Sequence, residues 1–495
     1  MKYLLISFGF ALTLVTWGCK NEKSESVEAK KPNIILLMAD DLGWGDTGYN
    51  GNEIIKTPSL DKMAKEGIRF NRFYSASAVC SPTRASVLTG RNPFRTGVFF
   101  ANQGILRPEE ITIPELLKEE GYATGHFGKW HLGTLTTKEK DANRGEPGNT
   151  KEYNPPVLHG YETAFVTESK VPTWDPMKKP VERYNKAWWN YLKPGEPFVD
   201  YGTSYWDIDG NKITENLDGD DSRVIMDRVL PFIDKSVNDE KPFLAVVWFH
   251  TPHMPCVAGP EYQEMYKEQN EDMQNYAGSI TAMDEQIGRL RAYLKELGED
   301  QNTMIWFCSD NGPEKGNPGI TGGFKARKRS LYEGGVRVPG LLVWPDKIKE
   351  GFESDIPAVT SDYLPTIIDV LDIEEEKAPY DLDGVSLTSL IAGEMDKRSK
   401  PIGFCIQKQA SISDNQYKVY TTNGIPEYYD IVNDPFEENP IAESEELVGL
   451  KNEMEVFLKS CKSSFEGDEY GKESYDKLPQ NWIDPYTYKS KKKKR

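Results

Sequence analysis

Residues 33–38 (NIILLM), which run on through Ala39 into Asp40 and Asp41, are the stretch from which the fold can be read. A short, nearly unbroken apolar run that ends abruptly in charge reads as a strand buried on both faces, the kind found inside parallel sheets. Residues 243–249 (FLAVVWF) and 303–308 (TMIWFC) repeat the pattern, and each also ends in polar residues: His250 to His253 after the first, Ser309, Asp310 and Asn311 after the second. Residues 68–74, 122–128 and 340–344 read as further strands. Between them, residues 58–67 (PSLDKMAKEG), 113–121, 272–298 and 363–371 carry the helical period, with Pro114 as a helix start and Gly121 and Gly298 as stops. The alternation predicts an α/β fold, a large and mostly parallel sheet sandwiched by helices. Ligands of such sheets bind beyond the carboxyl ends of the strands, so the polar groups after residues 39, 249 and 308 are expected to meet there.

The rest of the chain divides around this unit. Lys2 and the apolar residues 3–15 have the form of a secretory signal, and Gly18-Cys19 resembles a bacterial lipoprotein cleavage site. Residues 1–19 are therefore read as a signal peptide, with Cys19 lipidated and the protein exported to the periplasm or outer membrane. That anchor would be its membrane contact. Residues 20–31 form a polar tether, and 32–376 the main unit, with a loop-rich insertion at 134–221 that holds Trp174, Trp188, Trp189 and Trp206. A smaller α+β subdomain follows at 377–485, with strands at 402–406 and 417–421 and a helix at 445–459. The tail 486–495 is basic. A formal net charge of −18 excludes a nucleic-acid partner, which needs a basic face, and an anionic substrate would need a local concentration of positive charge. Of the six cysteines, Cys19 and Cys80 are set apart; the spacing of Cys256, Cys308, Cys405 and Cys461 fits no zinc site and reads as buried thiols, with one bridge left open.

The densest motif is Cys80-Ser81-Pro82-Thr83-Arg84. It reads as a cysteine at a strand-to-helix turn. Pro82 suits a first helical turn, and the peptide N–H groups there favour negative charge on the nucleophile. Downstream come Gly128-Lys129-Trp130-His131, then His250-Thr251-Pro252-His253, then Lys325, Arg327, Lys328 and Arg329 ahead of Tyr332-Glu333-Gly334-Gly335. Lys129 and His131 alternate along an extended segment and so can face one side. His126 reads as structural, and His250 as either a support for His253 or a core residue. Asp40, Asp41, Asp310 and Asn311 supply hard oxygen ligands suited to a cation such as calcium.

Taken together these motifs resemble the type I sulfatases of the alkaline-phosphatase superfamily, over roughly residues 31–434. The resemblance implies an alkaline-phosphatase-like fold and a sulfuric ester hydrolase. It implies that a formylglycine-generating enzyme oxidises Cys80 to formylglycine, and that Asp40, Asp41, Asp310, Asn311 and the modified Cys80 hold one calcium ion. A hydrated aldehyde would attack sulfur with one hydroxyl and expel sulfate with the other. Arg84, Lys129 and Lys328 would offset negative charge, His131 would take a proton, and His253 would protonate the leaving alkoxide. Lys325, Arg327 and Arg329 are expected either to contact acidic sugars or to face solvent. Export and the tryptophan-rich insertion suggest a sulfated polysaccharide or oligosaccharide, such as ulvan or carrageenan, with indoles stacking on sugar rings. Two alternatives stand beside this reading: a phosphonate or phosphate ester hydrolase of the same superfamily, and a catalytically dead glycan-binding lipoprotein.

Overall fold

The computed structural model describes residues 30–182, 188–378, 380–422 and 424–470. The signal peptide, Cys19, almost all of the tether and the basic tail lie outside them.

The chain from Pro32 onward is built on a ten-stranded sheet. Its order is Lys212–Ile213, Tyr205–Asp207, Thr163–Thr167, Ala123–Lys129, Phe243–Trp248, Asn33–Ala39, Thr303–Ser309, Gly340–Val343, Ile68–Phe70 and Phe352–Ser354. The run from Thr163–Thr167 to Thr303–Ser309 is parallel throughout, and antiparallel pairings begin on either side of it. Every residue of Asn33–Ala39, Phe243–Trp248 and Thr303–Ser309 is buried, as their unbroken apolar composition requires.

Because successive side chains point to opposite faces, these strands feed two cores. Ile34, Leu36, Met38, Leu244, Val246, Trp248, Met304 and Trp306 pack on one face with residues of the helices Cys80–Thr89, Ile113–Glu119 and Tyr363–Val370. Ile35, Leu37, Ala245, Val247, Ile305 and Phe307 pack on the other with Pro58–Glu66, Asp221–Asn238 and Glu271–Glu296. Beyond these layers, four antiparallel strands (Ile402–Ile406, Gln409–Ser413, Tyr417–Thr421, Pro426–Asp430) carry the helix Glu445–Phe465 on one face.

Three expectations are corrected. Residues 68–74 are not one strand: they divide into Ile68–Phe70 in the main sheet and Phe73–Tyr74, which pairs with Ala358–Val359 in a separate one. The 134–221 segment is more than a loop over the sheet edge, because Thr163–Thr167, Tyr205–Asp207 and Lys212–Ile213 extend the sheet itself. Three of its four tryptophans are buried as well. Trp188, Trp189 and Trp206 are each 3% exposed, so none can offer a face to a sugar, and Trp174 is only half-buried. All five described cysteines, Cys80, Cys256, Cys308, Cys405 and Cys461, are buried free thiols.

His126 is structural, as read. It is fully buried, edge-on to Trp130, Tyr161 and Trp248, with Nε2 3.3 Å from the Lys129 carbonyl. His159 is also buried, with Nε2 3.0 Å from Asn154 Oδ1. Burial pushes His126 down to about 3 and His159 down to about 4, so both fold as neutral imidazoles. Below the ordinary value of about 6.5 the unfolded chain takes up protons that the folded chain refuses. Each histidine then destabilises the fold by about 1.4 kcal/mol per pH unit until its folded value is reached. Denaturant midpoints are expected to fall from pH 6.5 to 4.5, with a shallower slope in His159→Gln; an identical slope would contradict this.

Candidate active site

Parallel strands deliver their C-terminal residues to one edge of the sheet. Asp40 and Asp41 follow Asn33–Ala39, Asp310 and Asn311 follow Thr303–Ser309, Lys129 ends Ala123–Lys129, and His250 to His253 follow Phe243–Trp248. Backbone bonds fix the relative heights of these ends: Asp310 N–H donates to the Ala39 carbonyl (3.1 Å), and Asp40 N–H to the Thr251 carbonyl (2.9 Å). Asp41 sits in a left-handed turn (φ 68°), and its N–H donates to Asp310 Oδ1 at 3.0 Å.

All three carboxylates are fully buried, and each has a cation. Lys129 Nζ donates to Asp40 Oδ2 (2.6 Å), Lys328 Nζ to Asp41 Oδ1 (2.5 Å), and Arg84 Nη2 to Asp310 Oδ2 (2.7 Å). Arg84 Nη2 also lies 3.6 Å from Asp40 Oδ2, and its guanidinium stands over the Trp248 ring. Burial opposes ionisation of Asp40, but Lys129, His253, Arg84 and Lys328 overcome it and hold that carboxyl well below the usual range. Asp41 is likewise lowered despite burial, chiefly by Lys328 and His253. Asp310 goes the other way: burial and the Asp40 charge push it up to about 7 in spite of Arg84 and Lys129. One carboxyl in three is hard to ionise, which marks a pocket with room for more positive charge.

Cys80 opens the helix Cys80–Thr89 and is 2% exposed. An irregular turn, not a strand, precedes it, since Phe73–Tyr74 ends several residues earlier. Its Sγ and one oxygen each of Asp40 and Asp310 lie within 4.8 Å of one another. Burial outweighs the nearby Lys129 and Lys328 and raises the thiol, so an unmodified Cys80 is a protonated and weak nucleophile.

The donor set fits a hard cation. Asp40 Oδ1, Asp41 Oδ2 and Asn311 Oδ1 are buried with no hydrogen-bond partner among the described residues, while Asn311 Nδ2 is occupied by Asp41 Oδ1 at 2.7 Å. Such orphaned oxygens are costly unless something coordinates them. Oxygen donors on two adjacent strand ends, without clustered thiolates, suit calcium better than zinc.

His253 Nδ1 donates to the Met254 carbonyl (2.6 Å), which leaves Nε2 3.7 Å from Asp41 Oδ2. Burial pushes it down to about 3 although Asp41 and Asp40 pull the other way. His250 is a core residue held by Asp221 Oδ2 (2.8 Å) and Thr167 Oγ1 (2.7 Å). His131 does not alternate along a strand with Lys129; the strand ends at Lys129, and His131 adopts a left-handed backbone (φ 60°). It is still buried, and burial together with Lys129, Arg144 and Arg84 drives it well below its ordinary value. Of the basic run, Lys328 reaches the site. Lys325 is tied to the Tyr429 hydroxyl and the Glu437 carbonyl, and Arg327 to the Gly319 carbonyl, so neither is available to a sugar. Arg329 is exposed and paired with Glu314.

The Gly334-Gly335 pair sets the Lys328 loop. A Cβ on Gly335 would lie 1.9 Å from the Ser330 carbonyl oxygen, and one on Gly312, which follows Asn311, 2.0 Å from that of Gly334. The residues just after the metal-type ligands and the loop carrying Lys328 therefore touch backbone to backbone. Lys170 was missed from sequence. It lies three residues past Thr167, the register partner of Lys129, and is half-buried. Burial, Lys129 and Lys328 depress it, and no carboxylate pairs with it among the described residues. A lone lysine between motifs left no pattern to find. Gly335→Ala is expected to lower unfolding free energy by about 1–3 kcal/mol through forced displacement of the loop; an unchanged denaturant midpoint would contradict the close approach.

A family model described as Sulfatase matches residues 32–373, and one described as N-sulphoglucosamine sulphohydrolase, C-terminal, matches residues 322–464. The ulvan-active sulfatase of Formosa agariphila is 30% identical over 514 residues, spanning 97% of this chain and 90% of the relative. The N-acetylgalactosamine-6-sulfatase of Mus musculus is 30% identical over 391 residues, spanning 74% and 68%. The crystal structure of Ps i-CgsB in complex with k-i-k-neocarrahexaose has a TM-score of 0.73 at 28% identity, with 91% of this chain and 98% of that one covered.

Proposed function

The chain belongs to the sulfatase family and hydrolyses sulfate esters, and from that premise we propose that it desulfates a sulfated polysaccharide or oligosaccharide, using formylglycine formed from Cys80 and one calcium ion. The observation that carries the proposal is the meeting of Cys80, the orphaned oxygens of Asp40, Asp41 and Asn311, and three buried cations at one sheet edge. Similarity to an ulvan-active sulfatase along almost the whole chain, and to a protein solved with a neocarrahexaose, favours an ulvan- or carrageenan-like glycan. A polymer of that kind is met outside the cell, where the export and lipidation at Cys19 expected from the sequence would put the protein.

Asp40, Asp41, Asp310 and Asn311 would hold the ion, whose positive charge would stabilise sulfate oxygens. Formylglycine would supply, as its hydrate, one hydroxyl to attack sulfur and a second whose collapse releases sulfate. Lys129, Lys328 and Arg84 are already oriented by the carboxylates, so they can face developing negative charge without reorganising. Both His131 and His253 are neutral as they stand, because burial dominates. A neutral His131 is ready to accept a proton. His253 Nε2 is its free ring nitrogen, and a bound sulfate ester adds negative charge that favours the imidazolium needed to protonate a leaving alkoxide.

Lys170, near Lys129 and Lys328 and in no ion pair among the described residues, gives the site a further cation and so favours a substrate with a second anion, a carboxylate or another sulfate, near the scissile ester. Lys170→Ala is expected to lower kcat/KM on such an oligosaccharide by about 10-fold or more, the worth of a charge-assisted hydrogen bond, and to leave a simple aryl sulfate nearly unaffected. Equal losses on both substrates would refute that role. For the reaction itself, Cys80→Ala is expected to reduce sulfate release from a panel of sulfated oligosaccharides by more than about 10³-fold. Mass spectrometry of the active protein should find the thiol of residue 80 replaced by an aldehyde. Full turnover by the alanine variant would end the proposal.

A further inference from the structure

The family reading gives His131 a proton to accept but says nothing of which ring nitrogen accepts it. The surroundings of the ring decide this. His131 Nε2 is 3.0 Å from Asn102 Oδ1, and the same oxygen accepts from Asn143 Nδ2 at 3.1 Å. Asn143 Nδ2 also donates to Ser169 Oγ at 2.9 Å. Asn102 thus turns its carbonyl oxygen to the imidazole. A carbonyl oxygen can only accept, so the nitrogen facing it must carry the hydrogen. The other nitrogen, Nδ1, is buried and has no hydrogen-bond partner among the described residues. Asn102 lies in the two-residue turn between Val98–Phe100 and Gln103–Gly104, at φ 60°, a conformation that asparagine tolerates better than most residues.

We propose that Asn102 is a positioning residue that fixes His131 as the Nε2–H tautomer, leaving the Nδ1 lone pair as the base of the proposed reaction. The inference rests on that reading for what His131 does, but not for which nitrogen is protonated. During turnover the proton would enter at Nδ1, and Nε2–H would remain on Asn102 Oδ1, which would share the charge of the imidazolium. Without Asn102 the ring loses both its orientation and its tautomer preference. The signal in the sequence is faint: an asparagine in a turn, about thirty residues before the histidine it serves.

The turn allows a clean test. Asn102→Gly removes the acceptor yet suits a positive φ, and Asn102→Asp keeps both the acceptor and the backbone preference. The chain has five histidines, so ¹⁵N-histidine spectra of the full-length protein are simple, and the His131 signals are those missing in His131→Gln. In the parent at neutral pH the proposal expects a protonated Nε2 and a pyridine-like Nδ1, and in Asn102→Gly a mixed or reversed tautomer. Sulfate release should fall by about 10- to 100-fold in Asn102→Gly, mainly in kcat, and recover to within a few-fold of the parent in Asn102→Asp. A protonated Nδ1 in the parent would overturn the inference. So would parental turnover by the glycine variant, or an aspartate variant as impaired as the glycine one. Failure of the sulfatase mechanism would look different, because no variant, the parent included, would release sulfate.

Discussion

Three carboxylates buried side by side at the end of one sheet repel one another, and the rest of the site is arranged around that repulsion. At about 4 Å and an effective dielectric constant of about 20, two like charges cost about 4 kcal/mol. Asp40, Asp41 and Asp310 are tolerated because Lys129, Lys328 and Arg84 each donate a hydrogen bond to one of them, from three different parts of the chain. Removing one partner from such a pair leaves an uncompensated buried charge, worth about 3–5 kcal/mol of stability. The parallel register comes first: it brings Ala39 and Ser309 level, so that the next residue of each strand enters the same space. The two cores on either face of the sheet then hold that register.

The same arrangement reconciles an acidic protein with an anionic substrate. The chain carries a formal charge of −18, yet Lys129, Lys328 and Arg84 gather around residue 80, and Lys170 stands near Lys129 and Lys328. Positive charge held by buried carboxylates stays fixed in place and is screened little by salt. The buried thiol of Cys80 is raised, not lowered, by its surroundings, so the site is badly matched to thiolate chemistry.

Much of this was legible in the sequence because the central strands are buried on both faces. Their apolar runs needed no periodicity to be seen, and polar residues at their ends marked the edge where chemistry collects. Asp40, Asp41, Asp310, Asn311, Cys80, Arg84, Lys129, His253 and Lys328 all meet there or beside it. Less was legible where tertiary context overrides local pattern. The strand Thr163–Thr167 sits in a segment rich in glycine, proline and tryptophan, and its pairing with Ala123–Lys129 gives no local sign. The indoles of Trp188, Trp189 and Trp206 look like a sugar platform in sequence, but the fold spends them on packing. Lys325 and Arg327 sit beside Lys328 in the chain and differ from it only through backbone carbonyls and a tyrosine supplied by distant segments. Asn102 and Lys170 gain meaning from a neighbour in space, which no spacing rule reports.

The central claim is that the buried oxygens of Asp40, Asp41, Asp310 and Asn311 form a hard-cation site that residue 80 shares. Calorimetric titration of chelator-stripped protein with calcium tests it most directly. The account predicts one ion bound per chain, with binding lost in Asp41→Ala and weakened in Asn311→Leu. Saturable binding that survives both substitutions, or no binding by the folded parent protein, would contradict it.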